Sequence, residues 1–179
     1  MQLSDSFSDK LKEGKVIEDA VYATLDQILP KHYSVKMTDQ SPASKERKLY
    51  NLVDVVVFYK KCPVVGIECK YSETPFKYCQ KINGWSPDLN TPINDTSLRK
   101  YRLSNFPYFV LNVNKFAHKI LVADSHTLFN SRFSRPQAKP DSLTTVIWNI
   151  CGETWDIYED DVRLSDILKD ILRKVGVEC

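Results

Sequence analysis

Glu-x-Lys occurs three times in this chain, as Glu13/Lys15, Glu46/Lys48 and Glu68/Lys70, so only the surroundings can say which copy does chemistry. On a helix, residues two apart point away from each other, which disposes of Glu13/Lys15. Glu46/Lys48 falls in a polar stretch, residues 39–48. Glu68-Cys69-Lys70 instead lies inside residues 64–71, a β-branched and apolar run of the kind that forms a buried strand. There the period of two puts Glu68 and Lys70 on one face, about 6.6 Å apart along the strand, with Ile67, Cys69 and Tyr71 on the other. Asp54 interrupts the preceding apolar run, residues 52–59, in the same manner. Charges stand where a core strand should have none.

A third carboxylate comes from the opening helix. Its stripe reads Leu11, Gly14, Glu18, Val21, Leu25, Ile28 in steps of three and four, and two members break the apolar rule, Gly14 and Glu18. Glycine inside a helix costs roughly 1 kcal/mol relative to alanine, so Gly14 is expected to admit a close backbone neighbour. Glu18, one turn on, is aimed inward. Two carboxylates about 5 Å apart at an effective dielectric near 20 repel by on the order of 3 kcal/mol. Lys70 offsets one charge, and a hard divalent cation with a taste for oxygen ligands offsets the rest, which makes Mg²⁺ or Mn²⁺ the expected cofactor. Such an ion polarises a phosphodiester and lowers the pKa of the water that attacks phosphorus. Lys70 would orient that water, or help deprotonate it if burial depresses its own pKa.

Whether Asp54 and Glu68 meet depends on the hairpin between them. Residues directly opposite on antiparallel strands share a face, so Asp54 joins Glu68 if the two pair. An odd connection such as residues 60–62 achieves that; a four-residue loop sets Asp54 opposite Cys69 and needs a bulge to re-aim it. The shared face is the expectation.

The elements that must position these residues follow from periodicity and breakers. Residues 8–29 read as an amphipathic helix ended by Pro30, and 33–38 as a first strand. The hairpin 52–59 and 64–71, with its connection at 60–63, comes next. Residues 75–82 suit one or two helical turns, 83–95 a long loop, and 96–103 a short helix. Strands follow at 108–113 and 119–123, with a turn at 114–117. Residues 125–141 read as too polar and Pro-broken for core, 144–150 and 154–158 as a late hairpin, and 162–175 as a closing helix. The fold class is therefore α/β, an αβββαβ core with a mixed sheet flanked by helices, plus a C-terminal β-hairpin and helix.

Asp54, then Glu68-Cys69-Lys70 on the next strand, after a helix bearing Gly14 and Glu18, resembles the PD-(D/E)XK nuclease superfamily, which includes restriction endonucleases, Holliday-junction resolvases and TnsA-like transposon nucleases. The resemblance covers roughly residues 8–124. It implies a restriction-endonuclease-like fold in which Asp54, Glu68 and the Cys69 backbone carbonyl hold the metal, Glu18 completes its shell, and Lys70 serves the attacking water. Val53 stands where the motif name has Pro, a common variation. Some relatives use a glutamine from the following helix, and Gln80 stands at about the right place.

The remaining composition sets bounds. The chain has 179 residues, the length of one domain, read as a nuclease core with a C-terminal elaboration at 125–179. Its net charge of +2 permits a nucleic-acid partner without requiring one. No run approaches the ~18 apolar residues of a membrane span and residues 1–10 lack a signal peptide's pattern, so a cytoplasmic protein is expected. Five cysteines without a Cys-x-x-Cys pair read as free thiols, and three scattered histidines carry no role. With only five glycines, none in a P-loop pattern, phosphate cradling by a glycine-rich loop is excluded.

Basic stretches at 45–48, 60–61, 99–102 and 132–139 are individually solvated faces. Together with Tyr78, Trp85, Tyr101 and Phe133 they suit phosphate contact and base stacking, with Lys45, Arg99, Arg102, Arg132 and Arg135 as the contacts. The expectation is a Mg²⁺-dependent endonuclease acting on DNA, a homodimer if both strands are cut. Its rivals are a module of the same fold that binds nucleic acid or a protein without cutting, an RNA endonuclease, and, for Asp54, Glu68 and Lys70, a buried salt bridge that only holds strands together.

Overall fold

A computed structural model describes residues 7–38, 53–73, 89–133, 137–138 and 146–178. Helix α1 (Phe7–Ile28) opens the chain, followed by strands β1 (Tyr33–Met37), β2 (Val55–Tyr59) and β3 (Cys62–Ser72). After them come β4 (Asn90–Asn94), α2 (Asp95–Arg102), β5 (Tyr108–Asn114), β6 (Lys119–Asp124) and α3 (Ser125–Asn130). The last elements are β7 (Gln137–Ala138), β8 (Val146–Cys151), β9 (Asp156–Glu159) and α4 (Leu164–Lys174).

The main sheet has the order β1-β2-β3-β5-β6-β9. Only β3 and β5 run parallel, so the chain must cross over between them, and β4 and α2 lie in that crossover. This is the mixed sheet flanked by helices that the periodicity requires. Both faces are covered, which is why its central strands read as nearly continuous apolar runs. One face packs Val55, Val57, Ile67 and Cys69 against Val21 and Leu25 of α1 and the fully buried Leu168 and Leu172 of α4. The other packs Val56, Tyr108 and Val110 against Leu98 and Tyr101 of α2, Leu128 of α3, and Ile93 and Ile150 of a second sheet, β4-β8-β7.

Four expectations are corrected. Residues 90–94 are not loop: they form β4, an edge strand of the second sheet whose short polar side chains Asn90 and Thr91 are buried. Residues 125–130 are not excluded from the core, because α3 puts Leu128 at 0% exposure, with Asp124 capping the helix by accepting a 2.7 Å bond from Thr127 N. The strands β8 and β9 do not pair as a hairpin; β8 joins β4 while β9 joins β6 at the edge of the main sheet. Their short connection is held across the gap by the buried Trp155, whose indole donates to Ser131 Oγ at 2.8 Å, and by Gly152, whose N–H donates to Leu89 O at 2.8 Å in a contact a side chain would block. Gly14 admits no close neighbour: a methyl group there would meet nothing within 4 Å. The helical stretch expected at 75–82 lies outside the described residues.

Candidate active site

The β2–β3 turn is tighter than the sequence suggests. Tyr59 pairs with Cys62, leaving only Lys60 and Lys61 in the turn, both at positive φ (47° and 70°) as a mirror-image two-residue turn demands. That turn alone would set Asp54 opposite Ile67, on the wrong face. Between the pairs Phe58↔Pro63 and Val57↔Val65, however, Val64 bulges out as an extra residue, and the register from there runs to Val55↔Ile67. One step further puts Asp54 across from Glu68. Pro63, which has no N–H to give a ladder, is tolerated next to this irregularity. The carboxylates thus come to one side of the sheet, through an even turn and a bulge in place of an odd connection.

Asp54 sits just ahead of β2, and its Oδ2 accepts a bond from the Cys69 backbone N at 2.7 Å, in the place where a ladder partner would stand. Glu68 is 4% exposed, its Oε1 accepting from Lys70 Nζ at 2.5 Å, while its Oε2 is buried with no hydrogen-bond partner. Burial pushes the Asp54 carboxyl up to about 7, Glu68 adds to the rise, and the Cys69 N–H and Lys70 pull against it. Burial pushes Lys70 down, but the charge and hydrogen bond of Glu68, then Asp54, reverse this and leave it above its ordinary value. The condition for Lys70 to take a proton, a pKa lowered by burial, is not met in the metal-free chain: attraction to two nearby carboxylates outweighs desolvation, which leaves orientation of the water as its role.

Glu18 stands on α1, which packs on the opposite face of the sheet from Glu68. Its charge adds to the rise of Asp54, so it lies within electrostatic range, while its carboxylate is held by Lys15 at 3.5 Å. Among the described residues, no three His, Cys, Asp or Glu side chains close into a group of metal-binding geometry. A divalent cation nevertheless fits what is present. Asp54 and Glu68 supply hard oxygen donors from neighbouring strands, with the Cys69 backbone between them, the kind of donor set that hard divalent cations take.

Of the expected substrate contacts, Arg99 pairs with Asp95 at 2.7 Å and Arg102 lies over the Phe129 ring at 5.3 Å. Both line a cavity of about 480 Å³ with Phe129, Phe133 and Trp148. Arg132 pairs with Glu153 and is not part of that cavity. Lys45, Gln80 and Arg135 lie outside the described residues.

Sequence reasoning missed two groups around Glu68. Tyr101 and Tyr108 are buried with ring centroids 5.3 Å apart, and burial together with the charge of Glu68 holds both phenols above their ordinary value. On the same strands Ser72 Oγ donates to Asn112 Oδ1 at 3.1 Å and Asn112 Nδ2 to Thr91 Oγ1 at 2.7 Å, a buried chain that ties the main sheet to the second one beside Lys70. The Asn in the otherwise apolar run 108–113 was a visible signal; Tyr108 read as ordinary core, and Tyr101, expected to stack on bases, is buried at 2% exposure.

No protein-family model matches this chain, and no curated protein matches it. Among solved structures, the chain is similar to D212, a nuclease from a fusselovirus, with a TM-score of 0.51 over 98% of this chain and 97% of that one, at 12% identity. At that identity the likeness is one of fold. Among the described residues, no helix is long and apolar enough to cross a membrane.

Proposed function

We propose that this chain is a metal-dependent nuclease of the PD-(D/E)XK type that hydrolyses phosphodiester bonds of DNA as an endonuclease. The observation that carries the reading is the register: β2 pairs with β3 up to Val55↔Ile67, so that Asp54, just ahead of β2 and bonded to the Cys69 N–H, comes next to Glu68 and Lys70, in a sheet similar to that of a viral nuclease. A structural salt bridge would need only Glu68 and Lys70; a second, half-buried carboxylate whose pKa is pushed up to about 7 beside them costs stability and asks for a function.

Asp54, Glu68 and the Cys69 carbonyl would hold Mg²⁺ or Mn²⁺, with Glu18 completing the shell from α1. When bound, the ion supplies Lewis acidity toward the phosphate and a more acidic water. Lys70, as a fixed ammonium, places positive charge where the phosphoryl oxygens gain negative charge, and orients the attacking water without needing to take its proton. Arg99 and Arg102, with Phe129 and Trp148, would meet the substrate backbone and an exposed base; Lys45, Gln80, Arg132 and Arg135 are proposed to add contacts. We take all 179 residues as one nuclease domain, since β9 joins the same sheet as β2 and β3 and α4 packs on the same core. We place it in the cytoplasm, as a homodimer if it cuts both strands.

The test is incubation of the purified protein with plasmid, linear and branched DNA, and with RNA, in Mn²⁺ or EDTA, beside Glu68→Ala and Lys70→Ala. Cutting that needs Mn²⁺ and falls at least about 100-fold in both variants is the expected result. Binding without cutting by the parent refutes catalysis and favours a nucleic-acid-binding module; preference for RNA refutes the assignment to DNA.

A further inference from the structure

A buried polar atom with no partner costs about 1–3 kcal/mol, so several in one place call for an explanation. Three gather at Glu68: its own Oε2, Tyr101 Oη and Tyr108 Oη. Glu68 is 4% exposed and both tyrosines 2%. In the parallel register Glu68 pairs with Val110 and Gly66 with Tyr108, so Tyr108 stands on the adjacent strand, two register steps from Glu68 and on the same face. Tyr101 comes down from α2 onto the same face, and its hydroxyl interacts with the Glu68 carboxylate and with Ser97 without completing a well-formed bond to either. If packing alone were required, phenylalanine would fill both positions at no polar cost. Both hydroxyls instead lie within the electrostatic reach of Glu68, whose Oε2 is the oxygen that Lys70 leaves over.

We propose that Tyr101 and Tyr108 are positioning residues for Glu68: their hydroxyls donate to Oε2, directly after a small rotation or through one shared water, and so fix Oε1 toward Asp54 and Lys70. A carboxylate backed in this way does not swing when its outer oxygen is engaged, and outer hydrogen bonds of this kind typically change the affinity of a metal site by about 10–100-fold. The same rings line a cleft of about 450 Å³ with Arg102, His126 and Asn130. The inference rests on the nuclease reading for its consequence, though not for its measurement.

The experiment is a Mn²⁺ titration of thermal stability for the full chain, Tyr101→Phe and Tyr108→Phe, with DNA cleavage recorded in parallel. Both variants keep their rings and are expected to hold or raise the melting temperature in EDTA, while the Mn²⁺ midpoint rises about 10-fold and kcat falls by a similar factor at constant KM for DNA. Titrations matching the parent's, or lower stability in EDTA with an unchanged Mn²⁺ midpoint, overturn the proposal. A parent that binds Mn²⁺ yet cuts nothing removes the nuclease reading and leaves positioning to be judged on the midpoints. A parent blind to Mn²⁺ overturns both.

Discussion

Replacing Asp54 by Asn should make the metal-free protein more stable at pH 8 while abolishing cleavage. Burial and Glu68 raise the Asp54 carboxyl from 3.8 to about 7 in the folded chain, so the fold prefers its protonated form. For an acid shifted upward, this preference stabilises the protein fully below pH 3.8 and is lost as pH climbs toward 7. Above 7 the ionised carboxylate burdens the fold by at most on the order of 4 kcal/mol, at 1.36 kcal/mol per pH unit between the two values. Solvent reaching the half-buried side chain takes back part of that, so about 2 kcal/mol is the working figure. Asparagine keeps an oxygen to accept the Cys69 N–H and loses the charge. In EDTA at pH 8 the variant should melt roughly 4–8 °C above the parent, and at pH 4 the two should coincide. Mn²⁺ should then raise the parent and leave Asp54→Asn unmoved. A variant that melts no higher than the parent at pH 8, or gains equally at pH 4 and pH 8, would refute the electrostatic account of the site.

Three further substitutions test the packing that holds the site. Gly14→Ala, whose added methyl meets nothing within 4 Å, should gain about 1 kcal/mol of helix propensity, read as a higher denaturant midpoint with unchanged cleavage. Gly66→Ala should do the reverse, losing about 1–3 kcal/mol, because its methyl would fall 2.6 Å from Val53 Cγ2, immediately before Asp54, and 2.9 Å from the Phe106 ring; cleavage should drop with it. Asn112→Ala strands the hydroxyls of Ser72 and Thr91 in the interior, with an expected loss of about 2 kcal/mol in urea melts and a looser second sheet by hydrogen exchange.

The parts of this fold that could be read in advance are those where a single rule dominates. A strand covered on both faces has no place for charge, so Asp54, Glu68 and Lys70 stood out against valines and isoleucines. The amphipathic stripes of α1 and α4 were equally plain. Elements decided by tertiary contact stayed hidden. Strand β4, with the residues Asn90, Thr91, Pro92, Ile93 and Asn94, is polar because its hydrogen bonds are met by β8 and Asn112, and nothing local says so. The six residues of α3 bury one leucine, too little for a periodicity to register. Which of its two roles Lys70 could take was not legible for a related reason: its environment depends on a 2.5 Å contact with Glu68, and burial alone points the other way.

The bulge at Val64 separates two jobs that hairpins usually combine. Beyond it, the pairing of β2 with β3 is held by Val55, Val57, Val65 and Ile67 sinking into the layer under α1, whatever the tip does. The lysine tip is thus coupled to the carboxylates through a slack joint. Shortening the arm by removing Val64 would leave the partners of Asp54 where they are, and the tip is free to drift in length over generations without disturbing the chemistry at the strand's far end.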